Sequence, residues 1–309
     1  MSVDFNTPRQ LLEAYKNGFI GGICDPKETD ELLGELRHPV FGAAAGNLRG
    51  SGEGKLVLLY KNVQKFDPEF GPSERQTTGD CVSMSTRNAV DVTRSTEIIG
   101  GDRESWETRS ATEAIYGSRG HGGQGMSCSG ATRFVKQNGG ILLRKNYGFV
   151  DLSKYNSSLG AGWGRRGVPS DVVAEAKKHQ VKTASLVQTI EEARDAIANG
   201  YAISVCSGYG FSSRRDSNGI AKASGSWSHA MCWCAVDDTH ERLNETLFLV
   251  QNSWGVWNGG PKAHDQPDGS FWIRERDARG MLSQGGAWAY SDVDGFPPRK
   301  VEWTLNEVF

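Results

Sequence analysis

Cys81, His229 and Asn252 are the residues whose types and order could carry out acyl transfer. A cysteine attacks carbonyl carbon as the thiolate, and Cys81 stands where a loop gives way to a helical spacing of Ser85, Ala89, Val92, Thr96 and Ile99. The partial positive charge at a helix N-terminus favours the thiolate, and a nearby imidazolium favours it more. His229 begins a predicted strand, His229–Val236, and Asn252 follows another, Thr246–Gln251. An amide oxygen accepting from one ring N–H would hold the imidazole toward the sulfur. Gln76, five residues before Cys81, could aim a side-chain N–H at a developing oxyanion, with the Cys81 backbone N–H as the second donor. These neighbours predict a low-pKa Cys81 thiol that alkylates fast at pH near 6.

Each residue also has a plainer reading. A lone cysteine is usually a small buried hydrophobe. Asp80 reads as an N-cap, and its charge would oppose thiolate formation. His229, Cys232, Cys234 and His240 could be taken for zinc ligands, but side chains alternate faces along a strand. Cys232 and Cys234 therefore face away from His229 and read as core. His121, His240 and His264 read as loop residues. The expectation is no metal and no organic cofactor.

Taken in order, the segments resemble the papain-like (C1) cysteine peptidases. Gln76…Cys81-Val82-Ser83 resembles that family's nucleophile segment, Gly120-His121-Gly122-Gly123 its Cys-x-Gly-Gly segment, and Ser228-His229-Ala230 its histidine segment. Gln251-Asn252-Ser253-Trp254-Gly255 is nearly its Asn-Ser-Trp-Gly motif, and Gly269–Arg274 resembles the strand that follows. The resemblance covers roughly residues 76–297. It implies an α+β fold, a helical subdomain beside a barrel-like sheet, with a cleft between them that hydrolyses peptide bonds. It further implies that Gly122 and Gly123 pair with substrate backbone, that Ala230 lies beside the bound peptide, and that Trp254 shields the Asn–His hydrogen bond. The departures are specific. His229 lies 148 residues after Cys81 but Asn252 lies 171 after it, which fits an insertion at Asp237–Glu245. Thr78 and His121 stand where the family has a cysteine pair. Together with a start, MSVDFNTPRQ, that lacks a secretory pattern, this predicts six free thiols in a reducing compartment.

The elements that must position these groups divide the chain into an N-terminal extension (1–74), a helical part carrying the nucleophile (75–165) and a strand-rich part carrying His229 and Asn252 (166–309). In the extension, Thr7 and Gln10 form a capping box, Lys55–Asn62 reads as a strand and Phe66–Ser73 as a linker. A segment that blocked the cleft would run extended, so the capped helix favours docking of the extension elsewhere, as a surface for an assembly partner.

Composition is that of an ordinary soluble globular chain: 309 residues, 37% hydrophobic and 23% charged, with net charge −2. Nothing in it points to nucleic acid, and no apolar run reaches the ~20 residues that span a bilayer. The expected partner is a peptide or protein substrate, and the expected location cytoplasmic or virion-associated. Two alternatives keep the same residues: a papain-fold structural or assembly component, such as one of a virion, with weak or no turnover, and an amidase or transglutaminase-like activity.

Overall fold

The computed structural model describes residues 5–72, 74–101 and 105–301. The chain begins with α1 (Pro8–Lys16), β1 (Gly22–Ile23), α2 (Pro26–Glu35), α3 (Phe41–Ala44), β2 (Leu56–Leu58) and α4 (Tyr60–Phe66). Next come α5 (Cys81–Ile99), α6 (Glu113–Gly117), β3 (Met126–Ser127), α7 (Cys128–Arg133), α8 (Ser157–Arg166) and α9 (Ser170–Ala176). The rest is β4 (Thr183–Leu186), α10 (Ile190–Ala198), β5 (Ile203–Arg215), β6 (Ala221–Asp237), β7 (Leu247–Gln251), β8 (Ser270–Arg274), α11 (Glu275–Leu282) and β9 (Ala287–Ser291).

One sheet organises these elements, in the order β4-β9-β5-β6-β7-β8. Strands such as Leu247–Gln251 and Ala287–Ser291 are buried along their whole length because helices cover them, while the hairpin end of β5 and β6 is partly exposed. Helix α5 packs on β5, β6 and β9, while α10 and α11 pack on β5 and other strands. Among the described residues the end strands β4 and β8 do not pair, so the barrel-like part expected from sequence is an open sheet. β5 starts at Ile203, opposite Trp233, which leaves the last residues of β6 without a partner on that side. β2 fills the gap, with Leu56, Val57 and Leu58 opposite Asp237, Val236 and Ala235. An open edge there would be a template for pairing with other chains.

The strand expected at Lys55–Asn62 is therefore three residues long, and from Tyr60 the chain is α4. Asn62 faces inward and donates to Thr96 Oγ1 of α5 at 3.0 Å, which an exposed strand end would not provide. The expected linker 66–73 is a run of turns as far as it is described; Ser73 lies outside the described residues. β5 and β6 extend well beyond the predicted strands 201–206 and 229–236, as a long hairpin through Asp216–Gly219. Ser and Gly in 207–228 hide this extension from a propensity reading.

The expectation of six free thiols is overturned. Cys128, the first residue of α7, is disulfide-bonded to Cys206 of β5, with their Cα atoms 6.3 Å apart. The bond joins positions that the sequence separates by 78 residues, so only the packing of α7 on β5 reveals it.

Candidate active site

Cys81 opens α5, and the helix carries an unusual load of buried polar side chains. Ser85 meets Ser204 of β5 at 2.8 Å, and Asp91 accepts from both the backbone and the hydroxyl of Ser110. Buried polar groups of this kind hold the helix in one register against the sheet. Asp80 does not cap it. Its Oδ2 accepts from the Tyr155 hydroxyl at 2.8 Å, and its Oδ1 is buried without a partner.

His229 lies in β6 and Asn252 just past β7, which are neighbours in the sheet. The His229 Nε2 to Asn252 Oδ1 distance is 2.8 Å. An amide oxygen only accepts, so Nε2 carries the proton and Nδ1 is the ring's free acceptor. That Nδ1 is buried and has no partner. Asn252 Oδ1 also accepts from the Ser253 backbone at 2.7 Å, which fixes the amide. The Trp254 ring lies 4.8 Å from the imidazole, and Trp227 lies 4.8 Å from Trp254 and 6.3 Å from the imidazole. Ala230 is fully buried, and its backbone N–H faces the Cys81 sulfur. Gln76 ties the nucleophile loop to the Asn252 strand end. Its backbone N–H donates to Ser253 O at 2.9 Å, Ser253 Oγ donates to its Oε1 at 2.5 Å, and its Nε2 donates to Thr78 O at 2.8 Å.

Gly122 and Gly123 sit in an exposed turn, where Arg119 Nε donates to the Gly123 carbonyl at 3.1 Å. The backbone that pairs with the N-terminal segment is instead that of Met126 and Ser127, with Gly125 in close approach beside them. Gly125 has φ +75°, and a Cβ there would meet the carbonyls of Ile20 and Gly21 at 2.9 Å, so both the turn and the close approach call for glycine.

Those partners come from the N-terminal extension. The expectation that it docks away from the cleft is overturned: it runs through the cleft. Met126 N–H donates to Gly21 O at 3.0 Å, and Gly21 N–H donates to Ser228 O at 2.9 Å. β1 pairs parallel with β3, Gly22 opposite Met126. A Cβ on Gly21 would lie 2.8 Å from Cys81 Sγ, and one on Gly22 would lie 2.8 Å from the His229 carbonyl carbon. Tyr15, from the buried side of α1, closes the site from above. Its ring is 4.6 Å from His229 and 5.1 Å from Trp254, and its hydroxyl faces Cys81 and Gln76. The capping box of Thr7 and Gln10 is present as expected, but the helix serves to deliver Tyr15.

This cover reverses the expected electrostatics. Burial pushes the Cys81 thiol up to about 12, against the Tyr15 hydroxyl and the Ala230 N–H, which favour the thiolate. Burial also pulls His229 down to about 4, with the Asn252 hydrogen bond opposing it. A fast-alkylating thiol is therefore not a property of the covered site, in which thiol and imidazole are both neutral. Sequence reasoning missed Tyr15, the Gly21-Gly22 pair and Gly125. The available signal was a Gly-Gly flanked by isoleucines just after a helix whose apolar side included Tyr15.

No protein-family model and no curated protein matches this sequence. Solved structures do. Xylellain, a cysteine protease from Xylella fastidiosa, matches with TM-score 0.51 and 17% identity over 77% of this chain and 86% of that one. Digestive procathepsin L 3 of Tenebrio molitor larval midgut matches with TM-score 0.54 and 12% identity over 93% of this chain and 79% of that one. ProCathepsin B S9 from Trypanosoma congolense matches with TM-score 0.51 and 11% identity over 97% and 100%. The fold is that of the papain-like cysteine proteases. Cys81 begins the long helix α5, and the sheet packed on it carries His229 in β6 and Asn252 just past β7.

Proposed function

We propose that this chain is a papain-like cysteine peptidase that acts through Cys81, His229 and Asn252, and that residues 15–23 hold it shut. The observation that carries the reading is the buried His229–Asn252 pair, whose Nδ1 is left without a partner, with the Tyr15 ring 4.6 Å from the imidazole and the Tyr15 hydroxyl facing Cys81. In the uncovered site the Cys81 thiol gives its proton to His229 Nδ1, and the sulfur attacks the substrate carbonyl carbon. The oxyanion takes donors from the Cys81 backbone N–H and from the Gln76 amide hydrogen not committed to Thr78. The imidazolium then protonates the leaving amine as the C–N bond breaks. Water, deprotonated by the same ring, displaces the sulfur and releases the acid. Asn252 holds the ring through both steps. Peptide or protein chains are the substrate class, bound extended along Met126 and Ser127, the edge that now pairs with the N-terminal segment.

The test compares the full chain with Cys81→Ala and Gly21→Val. A valine at position 21 would drive its Cβ into Tyr15 and Cys81, so the cover is expected to loosen and hydrolysis of an unselective protein substrate to rise at least about tenfold over the parent chain. Cys81→Ala is expected to abolish turnover in either background, because the nucleophile is gone. Hydrolysis that survives Cys81→Ala overturns the assignment. A silent Gly21→Val whose Cys81 alkylates freely at pH 7 would point to a scaffold with the same fold.

A further inference from the structure

Next to the cleft, the loop Gly120–Gly125 forms one wall of a second cavity, of about 230 Å³, bounded on its other side by α8. Its charged lining is Arg119, Arg165 and Arg166, and no acidic side chain lines it. This is unusual for the molecule, which has 35 Lys and Arg against 37 Asp and Glu. Arginines elsewhere in it are largely paired: Arg87 and Arg144 with Glu74, Arg109 with Asp67, Arg299 with Glu97. Arg165 and Arg166 have no ion-pair or hydrogen-bond partner among the described residues.

The cavity is joined to the cleft through Gln124. Gln124 lines it, and the same Oε1 accepts from the Gly79 N–H at 2.8 Å, two residues before Cys81. The next residue, Gly125, packs against the Ile20 and Gly21 carbonyls, and Met126 and Ser127 are the pairing edge itself. Arg119 is fixed in place. It donates to the carbonyls of Gly123, Tyr116 and Gly160 at 3.1, 2.7 and 3.1 Å, and its guanidinium lies 3.8 Å from the centre of the Tyr116 ring. Arg165 stands over the loop, its Nε 3.1 Å from where a Cβ on Gly122 would be, so glycine at 122 leaves room for the guanidinium at the rim.

Resting on the peptidase reading, we infer that this arginine-lined cavity is a specificity pocket that selects peptides carrying an aspartate or glutamate side chain near the scissile bond. A fixed positive charge from one element and two unpaired guanidiniums from another give a carboxylate several donors, and arginine suits planar carboxylates better than lysine does. A lysine in the same place would meet three like charges with nothing to offset them. The residues covering the cleft, Gly21 and Gly22, carry no side chain and pair at Met126, and none of the cover lines the cavity.

Arg165 and Arg166 also fall in the last turn of α8, where basic residues offset the helix dipole. A purely structural role makes a different prediction, and the experiment separates the two. The full chain, carrying Gly21→Val to loosen the cover, is given short internally quenched peptides in which each position in turn is Glu, Gln or Lys. At one position the kcat/KM ratio of Glu to Lys is expected to be about ten or more. With Arg165→Glu and Arg166→Glu added, the ratio at that position is expected to fall below one. An unchanged ratio accompanied by a lower Tm assigns the arginines to the helix end and overturns the inference. Cleavage with no Glu preference at any position overturns it while leaving the peptidase reading intact. No cleavage of any peptide overturns both.

Discussion

At the scale of single residues, Asp80 is the group whose environment is most at odds with its chemistry. It precedes Cys81, is buried, has one unpartnered oxygen, and its neighbourhood includes Tyr155, Tyr116, Cys81, Glu113, Glu74 and Arg119. Burial pushes its carboxyl up to about 7, with the Tyr155 hydroxyl opposing the shift. A folded-state value above the unfolded one means stability that is present below the unfolded value, ~3.9, and lost as pH rises through about 7. Asn keeps an acceptor for Tyr155 and has no charge to bury. Asp80→Asn should therefore add about 2–4 kcal/mol at pH 8, a gain that shrinks toward zero near pH 4. Urea unfolding at pH 8, 6 and 4 reads this directly. An equal gain at every pH would mean altered packing and not removal of a charge. The ionised carboxylate also disfavours the Cys81 thiolate, so the same variant should alkylate faster at Cys81 once the cover is loosened.

At the scale of elements, the cover and the disulfide meet. β1 leads to Cys24, whose thiol donates to the Cys206 carbonyl at 3.4 Å, and β3, the partner of β1, leads directly into Cys128. The Cys128–Cys206 bond thus fixes α7 against β5 at the point where the covering segment leaves the cleft. Closing a loop of 78 residues stabilises the fold by about 4.5 kcal/mol in the chain-entropy view. Cys128→Ser with Cys206→Ser should lower unfolding stability by that amount, and thiol titration of the unreduced, denatured parent should find four reactive groups: Cys24, Cys81, Cys232 and Cys234. Six thiols would mean that the bond is not made.

At the scale of the whole molecule, the first 74 residues have two different attachments. Of the described residues, those from Phe5 to Cys24 cover the cleft, with Phe5, Leu11 and Tyr15 buried. Residues after it build the body: Leu32, Phe41, Leu48, Leu56, Val57, Leu59, Tyr60 and Val63 are all buried, and β2 completes the edge of β6. Each large apolar side chain of this kind stabilises by about 1.5–3 kcal/mol, so their sum exceeds the net ~5–15 kcal/mol of a typical fold. Deleting residues 1–24 should leave a folded protein of lower Tm whose Cys81 alkylates readily near pH 7. Deleting residues 1–74 should leave no cooperative unfolding transition in calorimetry. If the shorter deletion also unfolds, the cover is structural and does not act as a removable lid.

The sequence by itself determined the fold class and the local elements whose signals are short-range. The helix at 81–99, the capping box at Thr7 and Gln10, and the strands around His229 and Asn252 follow from periodicity, caps and β-branched or aromatic runs acting over a few residues. The Asn-Ser-Trp-Gly segment could be recognised because its residues act together as neighbours in the chain. What only the tertiary structure decided is everything that depends on distant segments meeting. Cys128 and Cys206 become a bond because α7 lies on β5, and Met126 and Ser127 become the cleft edge because β1 lies beside β3. The Cys81 sulfur belongs to a neutral thiol because Tyr15 and Gly21 exclude water from it. A helix N-terminus and a histidine favour a thiolate in sequence terms, whereas burial pushes the thiol up, and burial is set by what packs above a residue, which no local pattern encodes.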